Sequence, residues 1–364
     1  MSRAPSRPSA PDTVPSRLDA FARRLRRRRI PCALVCDPAN VRALTGIDCD
    51  SACLKVVPGG APVLYTDFRY APMVRRVAPE LAVGDVRRLL GDLAPVRRVG
   101  YEPTMSHARF LRLSAALPRA RFVDVLPDVL DLRAVKTADE RDRLRAAERL
   151  CCEIWNEARS AFRPGMTERD MARLIRRLMV ERGDGEAFPT IVCVGANAAE
   201  CHHVPDDTEW SGREPVLVDM GVRLDGVCSD LTRNLLPRRV CRLYRRVYDL
   251  VLEANRAAIA AVRPGLTAGA LDRVARSTIA RGGFGRCFGH ALGHGVGYEI
   301  HEQPTARKGD ATVLRPGMTV TVEPGVYLEG DLGVRIEDLV LVTDGGCEVL
   351  SSSAAKDRAG AVFA

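Results

Sequence analysis

The stretch Val216-Leu217-Val218-Asp219-Met220-Gly221-Val222-Arg223-Leu224-Asp225-Gly226-Val227-Cys228-Ser229-Asp230-Leu231-Thr232-Arg233 reads as two apolar runs around an Asp-Gly pair. Such a pair between apolar runs predicts a β-hairpin, because a type I′ turn needs positive φ at both central residues. That turn sets Asp219 opposite Thr232 and puts Asp230 two residues further along the same face, since side chains alternate with period two. Two carboxylates then lie as diagonal neighbours, close enough to share an ion. The plainer alternative is a pair of solvated aspartates on the open face of an antiparallel hairpin.

A second hairpin weighs against that alternative. Thr319-Val320-Thr321-Val322-Glu323-Pro324-Gly325-Val326-Tyr327-Leu328 runs into a turn around Gly330, and Val334-Arg335-Ile336-Glu337-Asp338-Leu339-Val340-Leu341-Val342 runs back. With the turn centred there, Glu323 and Glu337 come almost opposite each other. Like charges so placed repel, so a compensating cation is required. Arg335 is one candidate, and a metal ion is the better reading. Between the hairpins, residues 288–302 hold three of the six histidines, His290, His294 and His301. Glycines flank His294 and allow the backbone a close approach. One imidazole with four carboxylates is a mixed nitrogen and oxygen set, suited to Mn, Co, Fe or Zn rather than Ca or Mg.

The order Asp219, Asp230, His294, Glu323, Glu337, with Gly293-His294-Gly295 and Val322-Glu323-Pro324-Gly325, resembles the pita-bread metallopeptidase family of methionine aminopeptidase, aminopeptidase P and prolidase. The segments Asp37-Pro38-Ala39-Asn40-Val41-Arg42-Ala43-Leu44-Thr45-Gly46 and Thr66-Asp67-Phe68-Arg69-Tyr70 resemble the amino-terminal domain shared by creatinase, prolidase and aminopeptidase P. Methionine aminopeptidases generally lack that domain, so the resemblance points to the Xaa-Pro branch. It implies two divalent metal ions per chain, manganese first, with Co, Fe or Zn as alternatives. By resemblance Asp230 and Glu337 bridge them, Asp219 completes one shell, and His294 with Glu323 the other. Glu323 would also shuttle a proton, His301 would stabilise the oxyanion, and His202 matches a second catalytic histidine, its neighbour His203 being the weaker match. His290, Tyr327 and Arg335 would surround the residue after the scissile bond, although His290 and Tyr327 also read as core packing. The activity implied is Xaa-Pro aminopeptidase on peptide substrates, in a homodimer. A prolidase restricted to dipeptides is the runner-up. Creatinase does not need the five ligands kept here, and a non-catalytic binding protein of this fold would be expected to have lost some.

The fold class expected is α/β (α+β), with a creatinase-like α/β domain over residues 17–134 and a pita-bread catalytic domain over 135–352. Strand and helix signals alternate up to Asp131, which argues for the first of these. The second repeats itself. Arg163-Pro164-Gly165-Met166-Thr167 is echoed by Arg263-Pro264-Gly265-Leu266-Thr267, each between two helical stretches and each followed by a metal-bearing segment. That is an internal duplication, with the site between its halves. Residues 1–16, rich in Ser, Pro and Arg, are expected to form a disordered tail, and 353–364 a carboxy-terminal tail.

At 364 residues with 46% apolar content the chain supports two domains with ample cores. Its net charge of +9 is mostly arginine. That would suit nucleic acid, but lysine is scarce and the bias reads equally well as genome composition, so nucleic acid is not the expected partner. The Arg23–Arg29 run lies on an amphipathic helix with Leu18, Phe21 and Leu25 at helical spacing, and reads as its solvated face. No apolar run of bilayer length or signal-peptide core is present, so a cytoplasmic protein without membrane partners is expected. Of the 12 cysteines, Cys32, Cys36, Cys49 and Cys53 are spaced too widely for a usual zinc knot, and reduced thiols are expected throughout.

Overall fold

The computed structural model describes residues 16–93 and 96–362. The expected disordered tail, apart from Ser16, lies outside the described residues. The chain divides into two compact units, one ending at Arg133 and the other beginning at Ala134.

In the first unit α1 (Arg17–Arg27) starts at Ser16, whose hydroxyl accepts the Asp19 N–H, and it buries Phe21 and Leu25. A six-stranded sheet follows among the described residues. Its strands are β1 (Cys32–Val35), β2 (Cys53–Val56), β3 (Val63–Thr66), β4 (Ala82–Asp85), β5 (Arg98–Tyr101) and β6 (Arg121–Asp124), in the spatial order β4-β3-β2-β1-β5-β6. Ala33 and Val35 pack into one apolar cluster with α1, and Cys32 and Leu34 into another with Val99 and Leu113. Both faces of β1 are therefore covered, which explains its unbroken apolar run. Asp37-Pro38 opens α2 (Pro38–Thr45) as cap and first residue, and Gly46 closes it at φ 74°.

One cysteine expectation is corrected here. Cys36 and Cys53 are joined as a disulfide, with Cα atoms 4.4 Å apart. The antiparallel register of β1 and β2, with Ala33 opposite Val56 and Val35 opposite Leu54, sets these two residues face to face. Sequence spacing alone does not reveal that register.

The second unit contains two helix pairs, Ala138–Ala161 with Glu168–Arg182 and Arg242–Ala261 with Ala268–Arg281. Each pair packs on its own core, around Trp155, Ile175, Val218 and Leu231 in one half and Val251, Leu271, Val320 and Val340 in the other. The two Arg-Pro-Gly turns make matching backbone bonds. Gly165 donates to Trp210 and Gly265 to Leu314; Glu168 donates to Thr208 and Ala268 to Thr312; Arg169 donates to Asp206 and Gly269 to Asp310. The repeat in sequence is thus a repeat in hydrogen bonding.

Both hairpins take the expected registers. Asp225 and Gly226 have φ of 49° and 71°, and Asp219 pairs with Thr232. In the second hairpin Val322 pairs with Asp338 and Gly325 with Arg335, so Glu323 and Glu337 fall opposite each other. The strands are interrupted at three of the four acidic positions: Asp230, Glu323 and Glu337 lie in breaks between strand segments. Residues 353–362, expected as a tail, are instead packed. Ala354 joins the first core and Ala361 the second, and the Lys356 ammonium pairs with the buried Asp338. Among the described residues no helix is long and apolar enough to cross a membrane.

Candidate metal centre

Asp219 lies on the strand Val216–Met220, whose alternate residues Val216, Val218 and Met220 point into the first core. Asp230 is held at its strand break by Glu148, a helix residue with no exposed surface, whose carboxylate accepts the Asp230 N–H at 3.1 Å. The second hairpin meets the first where the Glu337 N–H reaches the Thr232 carbonyl at 3.2 Å. The Thr232 hydroxyl donates to Glu337 at 2.8 Å. Between the hairpins runs Gly293–Gly295, paired with Glu302–Ala306. A Cβ on Gly293 would sit 1.9 Å from the Thr321 carbonyl oxygen, and one on Gly295 2.3 Å from that of Gln303. Only glycine lets His294 sit this close beside the Glu323 strand.

Asp219, Asp230 and Glu337 offer carboxylate oxygens that all lie within 4.8 Å of one another. His294 Nε2 stands 3.3 Å from Glu323 Oε1 and 3.6 Å from Asp230 Oδ2. Burial, then the charges of Glu337, Asp219 and Glu323, push the Asp230 carboxyl well above the ordinary range. Burial, then Glu323 and Asp219, does the same to Glu337. Burial alone would raise Glu323, but the hydrogen bond and charge of His294 outweigh it and hold Glu323 low. The protein therefore gathers more negative charge than it neutralises.

Arg335, the candidate cation ranked behind a metal ion in the sequence, supplies part of the missing charge, and does so at Asp219. Its guanidinium, nearly fully buried, donates to Asp219 Oδ2 at 2.7 Å, to Tyr327 Oη at 2.9 Å and to Thr232 Oγ1 at 3.1 Å. One cation and one imidazole do not balance four carboxylates. Asp219 Oδ1 is buried with no hydrogen-bond partner, and an orphaned anionic oxygen in such a cluster fits a metal ligand. Asp219, Asp230, His294, Glu323 and Glu337 thus fit divalent metal ions, by the chemistry of the donor set and by this unmet oxygen.

Around the cluster the structure brings together the other residues singled out in the sequence. The His301 ring meets His294 at 4.3 Å between centroids, edge to face. Burial, then the neighbouring His294 charge, lowers its pKa, and His202 adds to the same effect from nearby. His290 Nε2 is 2.9 Å from Tyr327 Oη and its Nδ1 is 2.7 Å from the Ala291 carbonyl, so this ring is fully engaged. His203 turns instead into Glu168, 2.6 Å away. Three residues with evident roles escaped the sequence reading. Thr232 joins Arg335 to Glu337. Glu148 interrupts the buried stripe Leu144, Ala147 and Cys151, a signal that could have been noticed. Arg233 holds the Thr232 and Glu337 carbonyls and the Asp338 carboxylate, and nothing in the local pattern marks it.

Residues 142–344 match metallopeptidase family M24, and residues 17–135 match the creatinase/prolidase amino-terminal domain. An Xaa-Pro dipeptidase of Pyrococcus furiosus is 31% identical over 344 residues, covering 93% of this chain and 98% of that one. The structure of an Xaa-Pro dipeptidase from Bacillus anthracis superposes with a TM-score of 0.89 at 28% identity, over 94% of this chain and 98% of the other. That of an X-Pro aminopeptidase from Thermotoga maritima gives 0.81 at 29% identity, over 90% and 97%.

Proposed function

Since this chain belongs to metallopeptidase family M24 and carries a creatinase/prolidase amino-terminal domain, we propose that it hydrolyses the bond between an amino-terminal residue and a following proline in peptides. The observation that carries this is the buried cluster of Asp219, Asp230, His294, Glu323 and Glu337, whose charge the protein leaves unbalanced. These five residues would hold two divalent ions, manganese first among the candidates. Bound ions of this kind acidify water and polarise a carbonyl. Glu323, kept ionised by His294, takes a proton from the attacking water and passes it to the leaving nitrogen. That nitrogen belongs to proline and carries no hydrogen before cleavage. His301 and His202, both exposed at the rim, donate to the carbonyl oxygen as negative charge grows on it. His290, Tyr327 and Arg335 shape the wall that receives the proline ring. Arg335 engages Asp219, Tyr327 and Thr232 with three of its five N–H donors, and it holds Tyr327 in place there.

The leading form of this reading is an Xaa-Pro aminopeptidase, which accepts chain beyond the proline. Prolidase activity, confined to dipeptides, is the second form. It is favoured by the dipeptidases among the relatives, and the first by the Thermotoga maritima aminopeptidase at similar identity. Catalytic efficiency of the metal-loaded protein on Ala-Pro-Ala, Ala-Pro, Ala-Ala-Ala and Met-Ala-Ala separates them. Cleavage of both proline peptides supports the first form and cleavage of Ala-Pro alone the second. Preference for the methionyl peptide would overturn the proline reading.

A further inference from the structure

Glu168 is the first residue of its helix, has no exposed surface, and accepts four hydrogen bonds. Its Oε1 takes the Val194 N–H at 2.6 Å and the Asn197 side-chain amide at 2.9 Å. Its Oε2 takes the Asp206 N–H at 3.1 Å and faces His203 Nε2 at 2.6 Å. All four partners belong to one segment, residues 194–206, and His202 lies inside it. A buried carboxylate is costly unless it is satisfied in this way.

The other half of the unit shows that the scaffold does not need it. There the equivalent turn makes the same backbone bonds, and the residue after the capping Thr267 is Ala268, also with no exposed surface. A methyl group closes that half, whereas a carboxylate and an imidazole close this one. What the first half has in addition is the loop that carries His202, whose charge reaches His301. Glu168, His203 and Asp206 could be taken for a second metal site by their proximity. Both Glu168 oxygens are, however, already used twice, which leaves the cluster a hydrogen-bonded clamp.

We propose that Glu168, with His203 as its side-chain partner, is a positioning residue that clamps residues 194–206 so that His202 is held at the metal centre. This rests on the proposed reading of His202 as a group that touches the substrate. A displacement of about 1 Å in such a group costs about a hundredfold in rate. A clamp acting on a group that follows substrate binding should show in kcat rather than KM.

The test measures kcat and KM on Ala-Pro, bound metal and melting temperature for Glu168→Gln, His202→Ala and the double variant. Glu168→Gln keeps the volume but replaces one acceptor oxygen by a donor amide facing Asp206 N–H. The expected result is a kcat lower by about tenfold to a hundredfold with KM within about threefold of wild type and metal content unchanged. The double variant should be no slower than His202→Ala alone, because a residue acting only through His202 then has nothing left to position. Should Glu168→Gln fail to fold, His203→Gln, which alters one bond of the four, is carried through the same comparison. Wild-type kcat in Glu168→Gln, or a double variant whose loss is the product of the two single losses, overturns the positioning role alone. Absence of Ala-Pro cleavage by the metal-loaded wild type overturns instead the functional reading beneath it.

Discussion

In the first half of the second unit Thr167 caps a helix that opens on a buried glutamate, and in the second half Thr267 caps one that opens on a buried alanine. The backbone bonds from Gly165, Glu168 and Arg169 correspond to those from Gly265, Ala268 and Gly269. The side chains that point toward the centre do not. The first half contributes Asp219 and Asp230 from a hairpin turned by Asp225-Gly226, with His202 on a clamped loop. The second contributes His294 from a glycine-flanked strand, with Glu323 and Glu337 from a hairpin turned at Gly330. A duplicated scaffold thus sets two acidic hairpins against each other, and each half brings different side chains to the cluster. Ions placed between the halves would make each half useless without the other.

The largest expected effect tests that mutual dependence. Asp230→Ala removes a proposed ligand from the first half and Glu337→Ala one from the second, and each should lower kcat/KM by about a thousandfold or more, since bound ions would supply several kcal/mol of transition-state stabilisation. Both variants should also bind less metal in elemental analysis. Exhaustive chelation of the wild type should abolish turnover, and readdition of a divalent ion should restore it. A folded Glu337→Ala protein with near wild-type rate would break the equality of the halves.

How much of this was legible beforehand follows from where the information lies. An Asp-Gly pair fixes its own backbone conformation, so the register that sets Asp219 against Thr232 could be read without tertiary structure. The Glu323–Glu337 pairing was legible only with the loop centred on Gly330, because Pro324-Gly325 interrupts the strand. The Arg-Pro-Gly echo was legible because it is written in side chains. The Arg335–Asp219 pair was not, because it crosses from one hairpin to the other. The Glu168 clamp was hidden for another reason: two of its four partners are backbone N–H groups, which every residue except proline carries. The Cys36–Cys53 bond depends on a strand register set by the intervening segment, and the docking of residues 353–362 on two cores that no local periodicity announces.

The carboxy-terminal segment docks on the cores of both halves, and it should matter next most. Lys356 donates to Asp338 and to the Asn255 side chain at 2.8 Å, while Arg233 holds the other Asp338 oxygen at 2.9 Å. Lys356→Met should cost about 2 kcal/mol of stability, below the range for a wholly buried pair because the lysine is partly exposed and Arg233 remains. Urea denaturation of the metal-loaded protein measures it. A smaller effect compares the two caps directly. Thr167 and Asp170 bond each other's backbone N–H reciprocally, whereas Thr267 caps without such a return bond. Thr167→Ala and Thr267→Ala should each cost about 1 kcal/mol, with Thr167 the larger. The reverse order would mean that the halves differ in more than their inward-facing side chains.

The smallest effect isolates the ion pair that only the first half has. Burial alone would lower the His203 pKa, but its hydrogen bond and charge interaction with Glu168 outweigh burial and raise it above the ordinary 6.5. The folded state therefore holds the proton more tightly than the unfolded chain. A group so raised contributes its full stabilisation below the unfolded pKa and loses it as pH climbs through the folded value. The stability difference between wild type and His203→Gln should accordingly be greatest near pH 5.5 and shrink towards pH 8.5, as denaturation at several pH values will show. Ala268 has no titratable side chain to form such a pair, so the matching control, Ala268→Gly, should cost the same at every pH. A His203→Gln difference that grows with pH would mean that the imidazole is held neutral, and that the clamp on residues 194–206 works by hydrogen bonding without charge.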